Sequence, residues 1–464
     1  MKKFVLSLAL LSLGMCAEAQ HGGIDAAMLS RLQQQTAQTP TNRILRNALA
    51  SNAINDLALT ADNPALADTH FSHSVPSVGV TDQKSSGRCW LFTGLNVMRS
   101  KAIQRFGLDG LMLSQSYVFF YDQLEKSNLF LQTVIDKANE PFESQFNQWL
   151  FQHPLSDGGQ FTGIQDLVQK YGIVPATVMP ESFNANNTSR LSSLLQLKLR
   201  EYGLELRKLV ASGAKADKVQ ARKEEMLATV YRILAVSLGT PPQRFTYTAR
   251  KQNGDVLSSK EYTPLSFYEA FVGKDLQNDY VMLMNDPSRP FHKTYRVEMD
   301  RHVYDGHDWT YINLPMEEIE AIAIASIKDS TMIYMSCDVG KQYNSKTGIL
   351  SLDNYDYGTL FSTTFPMDKA DRIRTYASAS SHAMTMMAVD LDAQGRPLKW
   401  KVENSWGPTS GVQGHLIMTR DWLREYLFRL VPEKKYVPAA TLRLLELKPE
   451  VLPAWDPLFA IEEK

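Results

Sequence analysis

A thiol becomes a nucleophile when its surroundings favour the thiolate and a base stands ready to take its proton. Ser85-Ser86-Gly87-Arg88-Cys89-Trp90 offers such a setting. Cys89 lies near the start of an apolar stretch, Gly87 to Phe106, in which Leu91, Leu95 and Met98 recur at helical spacing. In the first turn of a helix, aligned peptide dipoles and free N–H groups favour a thiolate, and Arg88 adds positive charge beside it. Gln83, in the preceding loop, can turn a side-chain amide toward an oxyanion forming at Cys89. Taken alone, a single cysteine is more often an inert core residue, so the reading needs partners elsewhere in the chain.

Ser381-His382-Ala383-Met384 supplies one. It opens an apolar run that ends in the turn Asp392-Ala393-Gln394-Gly395, and Leu398 to Val402 runs back toward Asn404-Ser405-Trp406-Gly407. A hairpin centred on Ala393 sets His382 opposite Asn404 at its open end. An Asn amide can hold an imidazole in one orientation, and a held imidazole can exchange a proton with a thiol. Trp406 can shield their bond from water. Any one of the nine histidines is more often a satisfied structural residue. Gln83, Cys89, His382 and Asn404 together, each in suitable local structure, are much harder to obtain by accident.

The rest of the chain must bring these four residues into one groove. With 464 residues, 44% of them hydrophobic, and 49 Lys and Arg against 50 Asp and Glu for a formal net charge of −1, the chain can bury a large core. It is not mainly disordered, collagen-like or a multi-span membrane protein. Near-zero charge argues against nucleic-acid binding by bulk electrostatics. Lys2-Lys3, the apolar run Phe4 to Leu13 and Ala17-Glu18-Ala19 read as a signal peptide over residues 1–19. The run is too short to span a bilayer as a helix. Export to the periplasm or beyond follows, with Gln20 the mature N-terminus. Met15 disfavours the alternative of lipidation at Cys16. The mature chain then keeps Cys89 and Cys337, too few for a disulfide framework.

Residues 20–68 are rich in Gln, Asn, Ala and Thr and read as an N-terminal arm or pro-segment, with short amphipathic helices over 24–32 and 44–57. Residues 69–464 have the composition of a core. Helices are predicted over 117–124, 142–150 and 161–171, the last stopped by Gly172. Residues 190–238 are charged and strongly helical, with an apolar stripe through Leu191, Leu194, Leu195, Leu199, Leu206, Leu209 and Val210 and a break at Ser212-Gly213. That predicts a helix hairpin, either a surface pair of the same domain or an arm burying its stripe on another subunit. Residues 331–337, 383–391, 398–402 and 415–419 carry the strand signature. The chain thus reads as α+β. His70-x-x-His73 and His302 to Asp308 lack a zinc spacing, and no phosphate-cradling loop occurs, so neither a metal nor a cofactor is expected.

Gln83 to Trp90 closely resembles the active-site stretch of the bleomycin hydrolase and aminopeptidase C family of papain-like cysteine peptidases. Lys170-Tyr171-Gly172-Ile173-Val174-Pro175, Asn285-Asp286-Pro287, Cys337-Asp338-Val339-Gly340-Lys341, His382-Ala383-Met384, Val402 to Gly407 and Trp455-Asp456-Pro457-Leu458 resemble further family segments in family order. The resemblance implies a papain-like fold, with a cleft between a helical lobe and a β-rich lobe. It implies Cys89 as nucleophile, His382 as general base and acid, Asn404 as the orienting amide, and Gln83 with the Cys89 N–H as the oxyanion hole. Family members assemble as hexamers around a central channel, which makes residues 190–238 an inserted oligomerisation arm. Their C-terminal tail, here 455–464, lies in the cleft and confines cleavage to substrate N-termini. The expected protein is a homohexameric, exported cysteine aminopeptidase that hydrolyses peptides through an acyl-enzyme without a cofactor. It departs from the mostly cytosolic family in its export signal. Its acidic ending, Ile461-Glu462-Glu463-Lys464, also differs from a short apolar one, which keeps open an endopeptidase with the same triad. The alternative from another class is a catalytically silent assembly or binding protein on this fold.

Overall fold

The computed structural model describes residues 22–35, 39–63, 65 and 68–459. The expected signal peptide with its cleavage site and Cys16, and the last five residues, lie outside the described residues. Up to Leu59 the chain forms a unit of its own, with helices Ala26–Gln35, Pro40–Leu49 and Ile54–Ala58. Thr39 caps the second of these by accepting from Asn42 N–H. The sequence pattern had run 44–57 together as one helix. Residues from Thr60 onward belong to the larger unit, where Asn63 Nδ2 donates to Asn354 Oδ1 at 2.8 Å and Lys399 Nζ pairs with Asp68 at 2.6 Å.

The larger unit has two apolar cores. One gathers helical side chains such as Leu95, Phe119, Ile164 and Leu195. The other gathers sheet residues such as Ile333, Met386, Trp400 and Leu416. The helices that build the site are α1 (Cys89–Phe106), α2 (Gln115–Asp136), α3 (Phe161–Tyr171), α4 (Ser189–Ala211) and α5 (Ala216–Leu238). Every residue of α1 from Trp90 to Ser100 is buried, as suits a helix at the centre of its lobe rather than on its surface. Helix α2 runs well past the predicted 124. Glu125 and Ser127 interrupt its apolar period yet are buried; Glu125 accepts from the Tyr171 hydroxyl, and Ser127 Oγ donates to Gln123 O at 2.7 Å.

Helices α4 and α5 form the predicted hairpin, reversing at Ser212-Gly213, where Gly213 takes a φ of 75°. Leu191, Leu195, Leu199 and Leu206 are buried, and both helices pack on α2 of the same chain. Most of the stripe is therefore covered within the chain, Leu209 and Val210 are half-buried, and Leu194 stays exposed against the expectation of one continuous buried face. Leu194, Leu197 and Val236 are the most exposed large apolar side chains of this hairpin, at 53%, 64% and 81%, with Leu204 and Tyr231 exposed to a lesser degree.

Strands β1 (Ile333–Cys337), β2 (His382–Leu391), β3 (Pro397–Glu403), β4 (His415–Thr419) and β5 (Leu427–Val431) lie adjacent in the order β5-β1-β2-β3-β4 within a twelve-stranded sheet of the described residues. Each neighbouring pair among them is antiparallel. The sequence reading missed β5, a separate hairpin of Phe245–Arg250 with Val256–Tyr262, and helix Met316–Lys328.

The β2–β3 hairpin corrects one expectation. It pairs Thr385 with Glu403 and Met386 with Val402, and slips at two bulges. Continued, that register places His382 opposite Trp406, not Asn404. Pairing of β3 with β2 stops at Glu403, and the chain turns aside as Asn404 N–H donates to Gly414 O at 3.0 Å. The imidazole reaches the Asn404 side chain from this offset position.

Gly172 ends α3 as predicted. Its φ is 75°, its N–H donates to Val168 O at 2.9 Å, and an added Cβ would stand 2.2 Å from the Pro264 carbonyl carbon. Gly172→Ala is expected to lower stability by at least about 2 kcal/mol, read as a fall in urea midpoint at unchanged m-value.

Candidate active site

Cys89 is the first residue of α1, half-buried at the helix N-terminus. His382 is the first residue of β2. The two meet at the junction of the lobes, where Ala383 N–H donates to Cys89 Sγ at 3.5 Å. A cavity of about 610 Å³ opens over them, lined by Gln83, Cys89 and His382 among others. Asn404 lies behind the imidazole, with its Oδ1 at 2.7 Å from His382 Nε2. The structure thus brings all four expected residues together.

Their hydrogen bonds decide which atom does what. Asn404 Oδ1 accepts the Ser405 backbone N–H at 2.8 Å, so this end of the amide is the oxygen. His382 Nε2 must then donate to it, which leaves Nδ1 with the lone pair. The Trp406 ring lies against the imidazole, centroid to centroid at 4.7 Å. Burial pushes the His382 pKa down to about 4, and the bond to Asn404 opposes part of that fall. At neutral pH the ring is therefore uncharged, and Nδ1 can accept a proton.

Gln83 is held as firmly. Its Nε2 donates to Ser86 O at 2.6 Å, its Oε1 accepts the Ser405 hydroxyl at 2.6 Å, and its own N–H donates to Ser405 O at 2.8 Å. One N–H of the amide is used locally, and the second remains for an oxyanion. Ser405 was not singled out from the sequence. Its position inside Asn404-Ser405-Trp406-Gly407 was the available signal, but its partner Gln83 lies 322 residues away.

Arg88 departs from expectation. Its guanidinium is fully buried, donates to Glu181 Oε2 at 2.7 Å and lies 5.2 Å from both the Phe92 and Phe119 ring centroids. Its Nε donates to Ser86 Oγ at 3.0 Å. The charge is spent on Glu181 and on shaping the loop rather than on the thiol. Asp157 is a second missed residue. Its carboxylate accepts Gly87 N–H at 2.7 Å and the Thr188 hydroxyl, and its carbonyl accepts Trp90 Nε1 at 2.9 Å. Lys126 Nζ donates to Ser156 O at 3.1 Å and Gly158 O at 2.6 Å, tying down the same loop.

Cys337 faces His382 across the β1–β2 ladder. It is fully buried, and burial raises its thiol pKa well above the ordinary value, so it stays protonated. Neither Cys89 nor Cys337 forms a disulfide among the described residues. Of the histidines considered as metal ligands, His302 turns to Asp122 at 2.6 Å, His307 to Asp166 at 2.8 Å, and His73 Nδ1 lies 3.1 Å from Ser72 Oγ.

Residues 23–459 match the family model described as Peptidase C1-like. The chain belongs to this family. It is 37% identical to bleomycin hydrolase of Homo sapiens over 453 residues, 95% of this chain and 99% of that one. It is 38% identical to aminopeptidase C of Streptococcus thermophilus over 422 residues, 90% and 95% of the two chains. The crystal structure of PepW from Lactobacillus rhamnosis matches with a TM-score of 0.90 at 37% identity, covering 94% and 99%. This C1-like peptidase therefore has the α+β papain-like fold and is a cysteine peptidase of aminopeptidase type.

Two outcomes follow for this C1-like peptidase. Ser405→Ala removes a donor from buried Gln83 Oε1. It should lower kcat about tenfold or more, approaching the roughly 10²–10³-fold loss of an oxyanion donor, with a smaller change in KM. Steady-state kinetics on an aminoacyl fluorogenic substrate test this. The neutral His382 also makes folding pH-dependent. Between the ordinary 6.5 and about 4 the unfolded chain binds a proton that the folded chain refuses, so this contribution is fully present above 6.5 and is lost as pH falls toward 4. The urea midpoint of wild type should fall through that window more than that of His382→Gln.

Proposed function

We propose that the chain is an exported cysteine aminopeptidase using Cys89, His382 and Asn404, with Gln83 in the oxyanion hole. The observation that carries the reading is the bonded chain His382–Asn404–Ser405–Gln83 beside the Cys89 sulfur. His382 Nδ1 takes the Cys89 proton, and the sulfur attacks the first carbonyl of a peptide. The negative oxygen that results is stabilised by Gln83 Nε2–H and the Cys89 backbone N–H. The tetrahedral intermediate collapses as His382 gives its proton to the departing amine, leaving a thioester. His382 then takes a proton from water, whose oxygen attacks the thioester. The amino acid leaves, and Cys89 regains its proton.

Restriction to the first residue is assigned to the tail 455–464. In support, Asp456 pairs with Arg289, and the Phe459 ring lies 5.5 Å from the guanidinium of Arg429, a residue of the cavity wall. Export rests on the N-terminal signal pattern. Assembly as a hexamer is supported by the exposed Leu194, Leu197 and Val236 on α4 and α5 and by the family's habit.

Cys89→Ala is expected to abolish turnover of aminoacyl fluorogenic substrates at an unchanged urea midpoint; retained turnover removes Cys89 as nucleophile. Wild type should reject N-acylated peptides that it cleaves when their amines are free, and cleavage of both would make it an endopeptidase. Protein isolated from its native source should begin at Gln20 and show the mass of six chains by light scattering.

A further inference from the structure

Helix α4 does more than fill out the helical lobe. Its buried face carries Leu191, Leu195 and Leu199. Another face carries Ser189, Ser192, Ser193 and Gln196, spaced as neighbours on a helix, and all four line the cavity that contains Cys89. The catalytic steps use none of them.

This polar face is fixed in place. Ser85 N–H donates to Asn186 O at 3.0 Å, and Thr188 N–H donates to Ser85 O at 3.3 Å. The Thr188 hydroxyl donates to Asp157. Further along, Gln196 Nε2 donates to Leu155 O at 2.8 Å and Arg200 Nε to Phe151 O at 2.9 Å. A wall held by loops on both sides can discriminate between ligands, because it does not yield to the wrong one. Ser192 Oγ is buried and has no hydrogen-bond partner among the described residues. Ser193 is exposed, and its hydroxyl donates to Arg190 O at 3.0 Å, which keeps its oxygen lone pairs for a ligand.

The direction of the wall follows from the chemistry. His382 must face the departing amine, and the tilted Trp406 ring lies against His382. The α4 anchors instead run to residues 85 and 155–157 of the helical lobe. The wall therefore stands on the acyl side, beside the residue whose carbonyl Cys89 attacks. Hydroxyls and a carboxamide donate and accept hydrogen bonds but offer no countercharge. The Asp157 carboxylate in the same cavity is engaged by Gly87 N–H and Thr188.

We propose that α4 is a specificity wall, and that it selects substrates whose first residue carries an uncharged hydrogen-bonding side chain, such as Ser or Gln. A large aliphatic side chain would make no use of the wall's hydrogen-bonding groups, and a charged one would meet no countercharge on α4. This rests on Cys89 being the nucleophile.

The test uses a panel of Ser, Gln, Leu, Arg and Glu aminoacyl substrates sharing one fluorogenic leaving group, with the full-length enzyme. Wild type should favour Ser and Gln. In Ser192→Val with Gln196→Leu, the kcat/KM ratio of the Gln to the Leu substrate should fall at least about tenfold. Ser193→Asp changes an exposed position in the first turns of a helix, which tolerates a carboxylate, and should raise the Arg-to-Glu ratio by about tenfold. Iodoacetamide, which carries no side chain to be read, should alkylate Cys89 at the wild-type rate in both variants. A wild type that prefers Leu or a charged residue overturns the wall, as do variants that scale every substrate by one factor. A wild type that turns over no member of the panel instead fails the peptidase reading itself.

Discussion

A carboxamide is chemically two-faced: one end donates and the other accepts, and the two ends have nearly the same size. The site depends on two such groups pointing the right way. If Asn404 turned over, it would offer N–H to His382 Nε2 and select the other tautomer; under the proposed mechanism, a reversed Gln83 would offer a lone pair to the oxyanion. Ser405 blocks both errors, its backbone N–H on Asn404 Oδ1 and its hydroxyl on Gln83 Oε1. These bonds are buried, so breaking either strands a polar atom at a cost of about 1–3 kcal/mol. The His382 tautomer follows from Asn404, and the free lone pair on Nδ1 follows from the tautomer. A residue that touches neither the sulfur nor the imidazole thus sets the hydrogen-bonding sense of the whole groove.

The two cysteines show how far surroundings decide reactivity. Cys337 sits one strand from the imidazole, yet complete burial keeps its thiol protonated. Cys89 is half-buried in the wall of the cavity, at a helix N-terminus and with Ala383 N–H on its sulfur. The loop leading to Cys89 needs rigid support for this to hold. Arg88 supplies it from beneath through Glu181 and two aromatic rings, and Asp157 supplies it from across the cavity. A charge read from the sequence as electrostatic help is, in the fold, a structural tie.

Legibility varied with the range of the interaction that made each element. Helix α3 was readable to the residue because Gly172, a left-handed stop, sits next to its last turn. Strand β4 was readable because its apolar run is short and bounded by turn residues. Helix α2 was read too short, because Glu125 and Ser127 look like solvent-facing breaks until Tyr171 and a turn of the helix itself are seen to satisfy them. The β2–β3 register was misread because two bulges and a turn at Asn404 shift it, and nothing in the alternation of side chains marks a bulge.

The linear chain by itself determined which groups are available and what local frame each occupies: a thiol at a helix start, an imidazole at a strand start, two amides in the loops beside them. Those features arise from neighbours within a few residues, which is the distance over which helix termini, turns and strand periodicity are encoded. Only the tertiary structure decided that Ser405 would orient both amides, that Arg88 would turn inward, that most of the stripe of α4 would be covered by α2, and that its serines would line the cavity. Each of these depends on a partner dozens to hundreds of residues away. Such a pairing is selected by the packing of whole lobes, and its strength comes from burial, a property no short stretch of sequence possesses.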